Sequence, residues 1–269
     1  MNPIRIAILD LNEGKPNQGM RCIHQIIDQW EMNNDTPVER KVFDVRVKNE
    51  LPDTSFDIYI SSGGPGDPIS SRYEDWDINW NNWLKQMIKW NENPYNTKKK
   101  YVFFICHSFQ LASRHFNAGI LRKRRSTAFG VFPVHIIDPG KTEKVFEGLH
   151  DPFYAVDSRD YQLVQPNHEL LQDMGAKILC IEKERRHVPY ERAVMGIRFN
   201  DYMIGTQFHP EADPIGMSHH LQSNEKRMVV IESYGEEKLN SMLAQLGDPD
   251  KILMTYSHIL PNFLSQAVA

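Results

Sequence analysis

Short apolar runs alternate with longer amphipathic stretches along this chain of 269 residues. Residues 4–9 and 101–105 are almost continuously apolar, which predicts strands covered on both faces of a sheet. Residues 19–30 carry apolar side chains at helical spacing. This alternation is typical of an α/β fold. Further strands are predicted at residues 41–47, 56–61, 130–137, 176–182, 193–199 and 202–208.

A stripe of large apolar residues predicts a long helix before the strand at 101–105. Trp76, Trp80, Trp83, Met87 and Trp90 are spaced so that they share one helix face. We interpret this face as part of the core. A subunit interface, where tryptophan is enriched, is the alternative, so a homo-oligomer stays open.

The pattern changes near Asp213. Asn200-Asp201 predicts a hairpin turn between the last two strands, whereas residues 236–246 and 249–264 have helical periodicity. We therefore divide the chain into a core of residues 1–215 and a helical C-terminal extension of residues 216–269. The sequence leaves open whether this extension covers the core or forms an interface.

The charge balance argues against two classes of partner. There are 31 Lys and Arg residues against 35 Asp and Glu, a formal net charge of −4. Nucleic acids and membrane surfaces usually select a basic excess, so we expect neither as a partner. The run Arg122–Arg125 is an exception, interpreted as a solvated loop, with an anionic partner as the alternative.

The cysteines suggest a single reactive thiol instead of a framework. Cys22, Cys106 and Cys180 are odd in number and widely spaced, so they predict neither a disulfide set nor a C-x-x-C metal pair. The N-terminus lacks the pattern of a signal peptide, and no run approaches the length of a membrane span. We expect a cytoplasmic protein with no metal and no cofactor.

Cys106 stands where a predicted strand meets a predicted helix. A cysteine at such a turn is held out of the sheet, and the start of the helix favours its thiolate form. Two other segments carry matching chemistry. His209 can act as a general base with Glu211 orienting its ring, and the glycines of Ser61–Gly66 leave backbone N–H groups able to stabilise an oxyanion.

At these residues the chain resembles the class I glutamine amidotransferase family. The family elbow Gly-x-Cys-x-Gly-x-Gln corresponds to residues 104–110, its Gly-Gly-Pro-Gly to residues 63–66, and its Gln-x-His-Pro-Glu to residues 207–211. The resemblance spans about residues 1–215, most like a stand-alone glutaminase domain of the GMP synthase type. Residues 130–134 and Asp160 fall where the family has a strand and an acidic loop residue.

The resemblance implies an open, mostly parallel, flavodoxin-like sheet with helices on both faces and a site at the carboxyl ends of the strands. It implies a catalytic triad that hydrolyses glutamine through a γ-glutamyl thioester and passes ammonia to a separate synthetase. By matched position, the implied roles are catalysis for Cys106, His209 and Glu211, oxyanion binding for the backbones of Gly64 and His107, and substrate binding for Gly63 and Gln110.

Three positions depart from the family pattern. Phe104 and Ser108 replace the elbow glycines, and Ser158 stands where the family often has histidine. We expect Phe104 to make the neighbouring helix stand off and the three changes to remodel the substrate pocket. Two alternatives to a glutaminase follow, a hydrolase of γ-glutamyl amides or peptides and a binding or regulatory protein with weak turnover.

Overall fold

One large sheet organises the molecule. The computed structural model describes residues 3–184, 191–222, 227–228, 230–232, 235–246, 248 and 251–269. Within them, nine strands form a single sheet in the order β2-β1-β3-β4-β9-β8-β7-β5-β6. The strands are β1 (Ile4–Asp10), β2 (Val38–Asp44), β3 (Ile58–Ser61), β4 (Tyr101–Ile105), β5 (Ile120–Ile136), β6 (Phe153–Val164), β7 (Lys177–Glu182), β8 (Val194–Asn200) and β9 (Met203–Thr206).

Helices cover the sheet. Three short 3-10 helices lie at Ser71–Tyr73, Asp138–Thr142 and Lys144–Phe146. The described α-helices are α1 (Gln18–Asn34), α2 (Asp75–Glu92), α3 (His107–His115), α4 (His168–Asp173), α5 (Pro214–Gln222), α6 (Glu236–Leu246) and α7 (Ile252–Val268).

The α/β class is confirmed, but the expectation of a mostly parallel sheet is wrong. The pairs from β2 to β9 in sheet order are parallel, four in all. The four pairs that follow, from β9 to β6, are antiparallel. The hairpin between β8 and β9 reverses the chain direction, and the two long strands β5 and β6 extend that antiparallel half.

The two faces of the sheet carry separate cores. In β1, Ile6 and Ile8 belong to one apolar cluster while Ala7 and Leu9 belong to the other, as the two-residue period of a strand requires. The first cluster includes buried residues of α1 and α7, and the second those of α2 and α3. Helices therefore lie on both faces, as expected.

The tryptophan stripe of α2 faces the core. Trp76, Trp80, Trp83 and Met87 are buried, whereas Trp90 is half-buried and donates its indole N–H to Lys98 O at 2.9 Å. The stripe lies in the cluster that contains Phe104 and Tyr59. The interpretation of this helix face as core is confirmed.

The C-terminal helices pack on the sheet in two groups. α7 contributes Tyr256, Ile259 and Phe263 to the cluster around α1, and Phe263 packs edge-to-face on Phe103 at 5.1 Å between ring centroids. α5 and α6 contribute to a third cluster, against Val131 and Val156. The predicted helix at 249–264 begins at Ile252, since Pro249 lies outside the described residues, and the division at residue 215 stays a prediction.

Strand bounds differ from the predictions mainly in the antiparallel half. β5 begins at Ile120 instead of residue 130, and β6 has no counterpart among the predicted strands. Asp160, expected in a loop, lies within β6. In the hairpin, Asn200 pairs with Met203, so the reversal falls one residue later than predicted.

Candidate active site

Cys106 occupies a strained turn between β4 and α3. Its backbone has φ 47° and ψ −97°, in the positive-φ region that residues with a Cβ rarely adopt. Cys106 N–H donates to Thr206 O at 2.8 Å, and Cys106 O accepts from Gln110 N–H at 3.1 Å. Such strain persists where surrounding contacts impose it, and it is a feature of nucleophile turns between a strand and a helix.

His209 and Glu211 follow β9 and form a close pair. His209 N–H donates to Val156 O of β6 at 2.8 Å, which fixes the backbone. His209 Nδ1 and Glu211 Oε1 are 2.8 Å apart. The carboxylate therefore orients the ring by accepting the Nδ1 proton and leaves Nε2 as the ring nitrogen able to serve the thiol.

The pKa of His209 reflects this environment. Burial lowers the pKa, but the charge of Glu211, the charge of Cys106 and the hydrogen bonds to both raise it by more. The net direction is well above the ordinary value of histidine. Negative charge on either side of the ring thus favours the imidazolium form.

Glu211 is buried against the first turn of α1. A Cβ added at Gly19 would lie 3.1 Å from Glu211 Oε1, so the carboxylate sits close to the positive end of this helix. Asn17 caps the same helix by accepting from Met20 N–H at 2.9 Å. Arg21 of α1 pairs with Asp213 at 2.6 Å and so holds the chain just beyond Glu211.

Two further polar groups contact the thiol. Cys106 Sγ lies 3.7 Å from Ser158 O on β6 and 3.7 Å from Gln207 Nε2. The antiparallel half of the sheet therefore reaches the thiol through the Ser158 carbonyl. The sequence gave no signal for this contact, because β6 was not predicted.

The glycine-rich segment after β3 passes beside the thiol and the imidazole. A Cβ added at Gly63 would lie 2.8 Å from His209 Cε1, and one at Gly64 would lie 2.4 Å from Leu11 O. Both positions therefore require glycine. Gly64 N–H forms no hydrogen bond with the described residues, and His107 N–H, at the start of α3, has no acceptor within its helix.

Over residues 22–228 the sequence matches the family model of class-I glutamine amidotransferases. The chain belongs to this family. None of the curated proteins matches its sequence.

Solved structures share the fold of this amidotransferase over nearly the whole chain. A glutamine amidotransferase from Thermotoga maritima has 14% identity and a TM-score of 0.70, with 100% of this chain and 99% of that chain covered. The glutaminase domain of Trypanosoma brucei CTPS with bound acivicin has 14% identity and a TM-score of 0.59, with coverages of 98% and 94%. A glutamine amidotransferase from Methylobacillus flagellatus has 12% identity and a TM-score of 0.63, with coverages of 98% and 94%.

Ser108 occupies one family glycine position without disturbing the elbow. Its hydroxyl accepts from Ile105 N–H at 2.8 Å and contacts Ser61 O at 2.6 Å and Ile105 O at 3.0 Å. The side chain thus links the elbow to the end of β3, where the glycine-rich segment begins. Ser108 is buried on the inner side of the turn and positions the elbow from within.

Phe104 is accommodated by a neighbouring strand, where we expected a displaced helix. A Cβ added at Gly205 of β9 would lie 2.9 Å from Phe104 Cβ, so the glycine leaves the space that the phenylalanine fills. The ring packs on Trp80 at 5.9 Å and Phe199 at 6.0 Å, in the core cluster that does not contain Cys106. Phe104 is therefore a core residue.

The His107 side chain lies against a buried arginine that the sequence did not single out. Arg46 Nη2 is 3.0 Å from His107 Nε2 and also donates to Pro65 O of the glycine-rich segment. Because arginine can only donate, Nε2 is the acceptor. Burial above all, with the positive charges of Arg46 and Arg114, lowers the pKa of His107 to about 3, so the ring is neutral.

Gln110 lies below the elbow in a buried amide pair. Its Nε2 donates to Gln207 Oε1 at 3.1 Å and to Tyr161 O at 3.3 Å, so the donors of this amide face protein acceptors. Substrate binding by Gln110 and Gly63 stays a prediction.

A cavity of about 190 Å³ adjoins the His209 ring on the side of α1 and α5. Phe129, Val156, Ser158 and Met217 line it together with His209. The small side chain at Ser158 leaves room here that a histidine would reduce.

Two expected absences are matched by findings of limited reach. Among the residues that the structure describes, no group of three or more His, Cys, Asp and Glu side chains is arranged to hold a metal ion. Across the same residues, no helix combines the length and apolarity that a membrane span requires.

Proposed function

We propose that this family member hydrolyses the side-chain amide of glutamine, with Cys106 as nucleophile, His209 as general base and acid, and Glu211 as the orienting carboxylate. One observation carries the proposal. A thiol on a strained strand-to-helix turn interacts with an imidazole whose Nδ1 lies 2.8 Å from a buried carboxylate. This is the arrangement that activates a cysteine nucleophile.

The reaction has two steps. His209 accepts the thiol proton, and the sulfur of Cys106 bonds to the amide carbon to form a tetrahedral oxyanion. The carbon–nitrogen bond then breaks, His209 protonates the departing nitrogen, and ammonia leaves a γ-glutamyl thioester. A water molecule, deprotonated by His209, attacks the thioester, so that glutamate is released and the thiol is restored.

The oxyanion is bound by the N–H groups of Gly64 and His107. Both lie beside the thiol without an acceptor in the described structure, so they are available when negative charge develops on the amide oxygen. Arg46 orients this segment through Pro65 O and His107. Gly63 and Gln110 contact the rest of the substrate.

The ammonia passes to a separate acceptor protein, a synthetase. The core and the C-terminal helices account for the described residues, and the sequence contains no motif for a second reaction. A structural neighbour that is the glutaminase domain of a CTPS supports this division of labour.

Cys106→Ser tests the assignment of the nucleophile. We expect glutamine hydrolysis to fall by at least about 10³-fold, because removing a nucleophile leaves only binding and oxyanion stabilisation. Cys22→Ser, a change at another buried thiol, is the matched control and should retain activity. Unchanged ammonia release from Cys106→Ser would refute the proposal.

A second candidate, hydrolysis of γ-glutamyl amides or peptides, is favoured by the cavity beside His209. Its volume of about 190 Å³ leaves room for a leaving group larger than ammonia on the side where His209 delivers the proton. Comparing glutamine with γ-glutamyl ethylamide and γ-glutamyl dipeptides separates the two functions. A strict preference for glutamine would exclude this candidate.

Labelling distinguishes both enzymes from a regulatory protein with weak turnover. A glutamine-analogue electrophile such as acivicin should alkylate Cys106 stoichiometrically in an enzyme, and intact-protein mass measures this directly. Absence of labelling, with Cys106 accessible to a small alkylating reagent, would favour the regulatory function.

A further inference from the structure

The sheet splits in its antiparallel half. Among the described residues, β5 pairs with β7 only at Val134–Ile136, while its first residues, Ile120–Lys123, pair with β6. The ladder is irregular between Lys123 and Ala128. A cleft of about 400 Å³ opens where β5 leaves β7, a volume within the range of small-molecule sites.

Positive charge is concentrated in this cleft. Six cationic residues line it, together with the carboxylates Glu182 and Glu191, in a chain whose formal net charge is −4. Cations held this close repel one another, and a bound anion removes that cost. The cations are Arg122, Lys123, Arg124, Arg125, Lys183 and Arg192.

The two carboxylates hold the walls of the cleft apart and in register. Arg124 and Glu182 are 3.3 Å apart across the split, and both side chains are about nine-tenths buried. Arg122 and Glu191 are 3.6 Å apart at the more exposed end. Because these ion pairs join β5 to the chain around β7 and β8, the cationic lining is preorganised and not a flexible surface run.

We propose that this cleft binds the phosphate groups of a small phosphorylated molecule. Guanidinium groups match phosphate oxygens with paired N–H donors, and four arginines converge here. The concave shape suits a compact ligand better than an extended nucleic acid strand. This site is separate from Cys106 and does not depend on the proposed hydrolysis.

Binding of tripolyphosphate, measured by calorimetry at fixed ionic strength, tests the proposal. We expect saturable binding with a stoichiometry of one. The double variant Lys123→Gln/Arg125→Gln should raise the dissociation constant at least tenfold. A control, Lys48→Gln/Lys98→Gln, removes the same charge at two exposed residues and should leave the constant within twofold.

ATP provides a second arm that identifies the source of the phosphate. Tighter binding of ATP than of tripolyphosphate assigns a nucleotide, and equal binding assigns the phosphate groups alone. Either result supports the proposal if the double variant weakens it. Absence of saturable binding, equal losses in the double variant and the control, or tighter binding of a single-stranded oligonucleotide would overturn it.

Discussion

The parallel and antiparallel halves of the sheet support the same site by different physical means. The parallel half is almost wholly apolar around the elbow, with every residue of β3 and four of five in β4 buried. The antiparallel half buries charge instead. Arg159 of β6, with a side chain 1% exposed, lies 2.9 Å from Asp157 and 3.4 Å from Glu182. Packing thus sets the elbow, whereas paired charges set the strand that brings Ser158 O to the thiol.

This difference predicts that each half fails under a different kind of substitution. The largest effect is expected from Phe104→Ala in the parallel half. Removal of a fully buried ring leaves a cavity and should lower the free energy of unfolding by about 4 kcal/mol. Urea unfolding measures it, with Tyr95→Ala, at a side chain 90% exposed, as the control. A loss below about 1 kcal/mol would show that the elbow does not depend on this packing.

The counterpart in the antiparallel half is Arg159→Met, which keeps the bulk of the side chain and removes its charge. Two carboxylates then lack their buried partner, and we expect a loss of about 3 kcal/mol in the free energy of unfolding. Lys15→Met, which breaks the exposed pair with Glu13, should leave stability unchanged within error. An equally neutral Arg159→Met would remove charge pairing as the distinction between the halves.

Ser108→Ala sharpens the comparison at the junction between β3 and the elbow. Ile105 N–H and Ser61 O lose their buried partner, which should cost about 2 kcal/mol of stability and lower kcat for glutamine. Ser113→Ala is a matched control in the same helix, since the buried hydroxyl of Ser113 has no partner among the described residues. Ser108→Gly, with the residue typical of the family, should behave like Ser108→Ala. Full activity in both variants would contradict a positioning role.

The smallest predicted effect is a pH dependence from His107. Its folded pKa, about 3, lies below the ordinary value of 6.5, so the unfolded chain binds the proton first as pH falls. The stabilisation is complete above pH 6.5 and declines toward pH 3, by about 2 kcal/mol at pH 5. His107→Gln should remove this part of the difference between pH 7 and pH 5, whereas His150→Gln, at an exposed histidine, should not. Identical pH slopes in the wild type and His107→Gln would disprove the assignment.

The parallel half could be predicted well because its signals are local. Continuous apolar runs mark β1, β3 and β4, and the helical spacing of the tryptophans marks α2. The antiparallel half resisted prediction. In β6, polar and charged residues interrupt the apolar pattern because their partners, such as Glu182 for Arg159, lie on other strands. A pattern search along one segment cannot recognise a charge that is satisfied by a residue distant in sequence.

The sequence by itself determined the order of the chemical groups and the α/β class, since apolar periodicity and short motifs are properties of contiguous residues. It placed Cys106 at a strand-to-helix turn and His209 two residues before Glu211. Only the tertiary structure decided that Gly205 makes room for Phe104, that Ser108 bonds the elbow from within, and that Arg46 reaches His107. Each of these contacts joins residues from separate strands or helices, or depends on the backbone path of a turn, and such distances exist only after the chain has folded.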